Sequence, residues 1–146
     1  MALLWSFNPS MHYEAPNEMV GSVLAHKGYI ETNKAVYWSL IFPASEEVLE
    51  KYECPMSGYL YNSVTGFVEY RARVIEMSSG PREEHLQFVP PWRSADPSHK
   101  IAYLLIDQLE EMFPHRLVTD FTYFEKRKKV LGPPSGNYFK VMDPLF

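Results

Sequence analysis

The chain has 146 residues, a formal charge of −4, a single cysteine and 15% aromatic side chains. One cysteine, Cys54, excludes an intramolecular disulfide, and the acidic balance excludes a strongly basic protein that tracks phosphates over a long site. The length is that of one domain, 1–146, large enough to bury a core without staples.

The start, Met1 to Phe7, lacks the basic flank of a secretory signal, and no apolar run approaches the roughly 18 residues of a bilayer span. The expectation is a cytoplasmic protein with no membrane partner. Leu3 to Phe7 reads as a first strand ended by Asn8-Pro9-Ser10. From Pro16 a short helix is expected, with Met19, Val20, Val23 and Leu24 at helical spacing and a stop at His26-Lys27-Gly28. Ala35 to Phe42 is a strand closed by Pro43. Ser45 to Tyr52 follows as a short helix, with Ser45 as N-cap and acidic residues in the first turn, where the helix dipole favours them.

Gly58 to Met77 is the clearest pattern: two arms joined by a loop containing Gly66. Val68, Tyr70, Ala72 and Val74 fall on one face, and Phe67, Glu69, Arg71 and Arg73 on the other, which is the alternation of a hairpin. Ser78 to His99 carries Pro81, Pro90, Pro91 and Pro97 and reads as a long loop with a short strand near Leu86 to Val89. His99 to Asp107 reads as a core strand, with a helix as the alternative, and Asp107 to Phe113 as a short helix or turn before Pro114. Leu117 to Phe124 is mixed. The basic run Lys126 to Lys129, a turn over Gly132 to Gly136 and a last strand from Asn137 to Met142 complete the chain. The fold class is α+β: about six strands with short flanking helices, closing as a small curled sheet or barrel.

The residues do not nominate a catalytic centre. The histidines His12, His26, His85, His99 and His115 are scattered without paired spacing, so neither a metal nor another cofactor is expected. There is no Gly-x-Ser-x-Gly elbow and no phosphate-cradling glycine loop, and Cys54 reads first as a small buried hydrophobe. The expectation is a binding module and not an enzyme, with a Cys54 hydrolase as a remote alternative. Aromatic side chains carry the positive signal. Tyr37 and Trp38 are adjacent on a strand, so they point to opposite faces, one into the core and one free to line a pocket. Trp92 lies in the long loop beside Arg93. Two facing indoles make a slot for a base, with stacking worth about 1–3 kcal/mol, and Ser39 or Asp96 can bond the base edge. The plainer reading is that both tryptophans only pack. Arg71 and Arg73 on one strand face, Lys126, Arg127, Lys128 and Lys129 in the run, and Arg93 and Lys100 elsewhere suit phosphate contacts, or else form ordinary solvated faces.

Trp5-Ser6-Phe7-Asn8-Pro9, Val36-Tyr37-Trp38-Ser39, the hairpin Gly58-Tyr59-Leu60-Tyr61 to Arg71-Ala72-Arg73-Val74-Ile75, and the ending Asn137-Tyr138-Phe139-Lys140-Val141 together resemble the PUA-like superfamily, in particular its EVE and YTH branches. The resemblance implies a PUA-like fold and an aromatic cage for N6-methyladenine, with Trp38 and Ser39 at the first wall and Trp92 at the second. Trp5, Asn8 and Asp96 complete the base-binding set. Within that superfamily the chain is similar to the N-terminal domains of archaeal McrB-type modification-dependent restriction proteins. That similarity implies a reader of methylated duplex DNA that flips the base into its pocket. It also implies fusion to an AAA+ GTPase domain that works with a nuclease partner subunit. An RNA-reading YTH or PUA-like module, and a protein-interaction or small-molecule domain, are the alternatives.

Overall fold

A computed structural model describes residues 1–9, 12–15, 18–41, 45–91, 101–134 and 138–146. Its centre is a six-stranded mixed sheet curled into a half-barrel. The strands are β1 (Ala2–Phe7), β4 (Val36–Ile41), β5 (Met56–Asn62), β6 (Val68–Ser78), β7 (Ile101–Arg116) and β8 (Tyr138–Val141), in the order β4-β7-β6-β5-β1-β8. A separate hairpin pairs β2 (His12–Ala15) with β3 (Glu18–Gly21). Two α-helices, α1 (Ser22–Asn33) and α2 (Glu46–Leu49), and two 3₁₀ turns, Glu83–Phe88 and Val118–Asp120, complete the regular structure among the described residues.

β1 explains why the sheet is buried on both sides. Leu3, Trp5 and Phe7 point to one face and Ala2 and Leu4 to the other, and all five are buried. β1 runs parallel to β5, with Leu3 opposite Gly58, and antiparallel to β8. The inner face joins Trp5, Trp38, Leu60, Val74, Leu104 and Ile106 in the main core. The outer face carries two smaller cores, one around Tyr59, Phe121 and Val141, the other around Tyr37, Tyr103 and Leu105.

Irregular registers curl the sheet. The β5–β6 pairing shifts between Leu60 and Tyr61, and the β6–β7 pairing shifts at three places. One of these leaves Asp107 as an extra residue: Val74 faces Ile106 but Arg73 faces Gln108. Such a bulge switches which parity of residues points inward, so Leu104 and Ile106 are core before it and Leu109 after it.

The hairpin from Gly58, the strand through Val36 to Ile41, the strand after His99 and the cap at Ser45 stand where the sequence places them. Ser45 Oγ accepts from the Val48 amide at 3.4 Å. Four expectations are corrected. The helix foreseen from Pro16 begins only at Ser22, after β3, and runs past Gly28 to Asn33, where Lys34 takes a positive φ of 79°. Leu24, foreseen on its apolar face, is 63% exposed. Asp107 to Phe113 is not a helix but the second half of the 16-residue β7, because the bulge restores an inward face to Leu109. The segment near Leu86 to Val89 is not a strand: Glu83–Phe88 forms a 3₁₀ turn that lies over Tyr37 and Tyr103.

Candidate functional site

The site begins with Trp38. β4 places its indole on the inner face, where it meets two other rings. The imidazole of His26 stacks on it at 3.9 Å between centroids and 25° between planes, and Trp5 packs against it at 6.1 Å, tilted by 59°. Trp5 is fully buried and Trp38 is 6% exposed. The three rings form a closed aromatic nest beneath α1. The expectation that one of Tyr37 and Trp38 stands open is corrected: the two do point to opposite faces, but both faces are covered, and Tyr37 is 1% exposed beneath the 3₁₀ turn.

His26 reaches the nest because Val23, His26 and Ile30 share one side of α1. Its Nδ1 donates to the Ser22 carbonyl at 2.6 Å, which fixes the ring over the indole. Two polar atoms in this region are buried without a hydrogen-bond partner among the described residues, Trp5 Nε1 and Ser22 Oγ. A buried unmade hydrogen bond costs about 1–3 kcal/mol, so both atoms are set to gain from a polar ligand. Trp5 is paired with Leu60 on β5, and its indole fits so closely because it lies over Gly58, the residue opposite Leu3. A Cβ there would lie 2.4 Å from Trp5 Cζ3.

Of the other base-binding candidates, Ser39 points away from Trp38, as its neighbour on the strand must, and its Oγ is buried without a partner among the described residues. Asn8 is exposed just beyond β1. Trp92, Arg93, Asp96 and Lys100 lie outside the described residues. Arg71 and Arg73 are exposed side by side on the outer face, which the sheet separates from the nest. Arg73 is held by Asp107 through two hydrogen bonds, the one from Nε being 2.9 Å. Arg71 donates a long bond of 3.4 Å to Ser57 Oγ. Lys126, Arg127, Lys128 and Lys129 are all exposed on a turn where Arg127 has a positive φ of 56°, with Lys126 over the Tyr123 ring and Arg127 over the Phe124 ring.

Sequence reasoning missed an open cleft of about 870 Å³ at one end of the half-barrel, between the chain after α2 and the C-terminal segment. Tyr52, Cys54, Met56, Arg73, Phe124 and Lys140 are among its lining residues. Lys140 pairs with Glu125 at 2.7 Å, and Tyr52 and Tyr138 share a hydrogen bond of 2.5 Å. These residues come from separate elements, and a one-dimensional pattern carries no signal for their convergence. Burial, aided by the charge of Glu76, pushes the Cys54 thiol up to about 11, so near neutral pH it is a protonated thiol and a poor nucleophile. Among the described residues no group of three His, Cys, Asp or Glu side chains could hold a metal ion, and no helix is long and apolar enough to cross a membrane. No family model, curated protein or solved structure matches this chain.

Proposed function

We propose that this domain binds nucleic acid and reads a modified base, N6-methyladenine being the best candidate, by taking the base out of the duplex and stacking it on Trp38. The observation that supports this most is the ring stack itself: Trp38 already carries a planar nitrogen heterocycle at stacking distance, and the neighbouring Trp5 and Ser22 each bury a polar atom without a partner among the described residues. An adenine presents the same kind of face, and its methyl group adds apolar area suited to an indole wall. Lys126 to Lys129 are exposed cations suited to phosphate contacts, whereas Arg71 lies across the sheet from the nest. On this reading the domain is the target-reading part of a McrBC-type restriction system in the cytoplasm, with the GTPase motor and nuclease supplied by other domains or subunits.

Binding to a short duplex with and without N6-methyladenine tests the proposal. Wild type should prefer the methylated duplex, Trp38→Ala should lose the preference, and affinity should fall steeply as salt rises. Equal binding of both duplexes by both proteins refutes it. The same base in single-stranded RNA separates the RNA-reading alternative. The open cleft favours a second reading, a small-molecule binding domain, for which affinity would barely change with salt.

A further inference from the structure

We propose that His26 occupies the position the base takes, so that the nest is a self-filled cage with α1 as its lid, and Trp5 Nε1 is the donor that bonds the edge of the incoming ring. This rests on the reading above and adds the residues that govern access. Three observations carry it.

The first is geometric. The spacing of 3.9 Å and the 25° angle between His26 and Trp38 are those of a stacked planar pair, the arrangement a base would adopt on the same indole. With Trp5 at 6.1 Å closing the nest, a base cannot reach the stacked face of Trp38 while the imidazole is there. The second is chemical. Trp5 is fully buried, yet its Nε1–H has no acceptor among the described residues, and the Ser22 hydroxyl, one turn before His26, is likewise unpartnered. A ring nitrogen of adenine is an acceptor of the kind the indole N–H lacks, and the hydroxyl can serve either edge group. A nest built only for packing has no use for two buried polar atoms left without partners.

The third is mechanical. α1 holds His26 from one side, through Val23 and Ile30 in the main core and the Ser22 carbonyl bond. Farther along the helix, the Tyr29 hydroxyl donates to the Gln87 carbonyl at 2.7 Å and ties it to the 3₁₀ turn. Gly28, between the two, is exposed and has nothing within 4 Å of a Cβ position, so no neighbour blocks movement at that step, while the turn that would have to lift carries the buried residues of the helix, Ser22, Val23, Ala25 and His26. Because His26 competes with the ligand, the apparent affinity is the intrinsic one reduced by the fraction of time the ring is withdrawn.

The test needs no variant to begin with. In wild-type protein with isotope-labelled histidine, the His26 ring protons should resonate upfield because they lie over the indole. Saturation with a duplex carrying N6-methyladenine should move them to the positions of an unstacked histidine. His26→Ala should bind the same duplex about tenfold more tightly, and added imidazole should reverse the gain. If a folded His26→Ala binds no more tightly while Trp38→Ala still loses the preference, the inference is overturned and the Trp38 reading stands. If the duplex saturates wild type with the His26 resonances unmoved, both are overturned, because the base has not replaced the imidazole on the indole. If neither protein binds modified or unmodified duplex, the reading fails and takes the inference with it. Should His26→Ala not fold, the wild-type spectrum decides alone.

Discussion

Gly58→Ala is the sharpest test of how the nest is built. The new Cβ would lie 2.4 Å from Trp5 Cζ3 and 2.5 Å from Cη2, with Val74 Cγ2 at 3.4 Å. Side-chain carbons do not approach so closely, so either the indole or β5 must move. Trp5 has little room, being fully buried and already packed on Trp38. β5 is held on both sides, by β1 and by β6. Overpacking a well-filled core costs about 1–3 kcal/mol, and an overlap this deep against a rigid ring belongs at the upper end, about 3 kcal/mol. With a urea dependence of about 1–3 kcal/mol per molar, the unfolding midpoint should fall by about 1–3 M. Gly28→Ala is the matched control. Its Cβ meets nothing within 4 Å inside α1, so it should raise stability by about 0.5–1 kcal/mol through helix propensity alone. Urea unfolding followed by circular dichroism measures both. A Gly58→Ala midpoint equal to that of wild type would refute the close packing of Trp5 and with it the geometry of the nest.

Asn62→Ala should cost about 2 kcal/mol by thermal or urea unfolding, because the buried side chain donates to Glu69 Oε1 at 2.8 Å and accepts from the Val64 and Thr65 amides at the β5–β6 turn. Stability should fall as pH rises from 9 towards 12. Burial pushes the Cys54 thiol up to about 11 and Tyr37 up to about 12, so the folded state keeps protons that the unfolded chain sheds near its ordinary values of 9.0 and 10.0. That stability is whole below 9 and is lost as the pH climbs through the folded values. A flat profile over that window would count against the burial of both groups. Near pH 8 a thiol reagent should modify Cys54 slowly in the folded protein and fast after denaturation, and equal rates would contradict its protected state.

Much of the sheet was legible because its strands carry period-two patterns bounded by turn residues, as in Tyr70 to Val74 and Val36 to Ile41. Val68, expected on the same face as Tyr70, packs in the outer core instead, across the register shift before Tyr70. The misses have physical causes. Asp107 to Phe113 looks helical because a bulge shifts the inward parity by one residue, and a simple alternation test breaks there. Pro114 has the character of a stop, yet it lies within β7 beyond the reach of β4, whose pairing with β7 spans Ile101 to Ile106. The parallel pairing of β1 with β5 depends on contacts far apart in the chain. In the site, the opposite orientation of Tyr37 and Trp38 followed from strand geometry. That both would be buried did not, because what covers each face, α1 on one side and Glu83–Phe88 on the other, comes from other segments. His26 had a readable signal: with Val23 and Ile30 it marks the buried side of α1.

A modified base stacked on Trp38 changes the surroundings of that indole, which fluorine NMR of protein carrying 5-fluorotryptophan reads out. There are three tryptophans, so Trp38→Phe assigns its resonance without ambiguity. Saturation with a duplex carrying N6-methyladenine should shift the Trp38 signal, and the unmodified duplex at the same concentration should leave it in place. A methylated duplex that binds to saturation while the Trp38 resonance does not move would contradict the account.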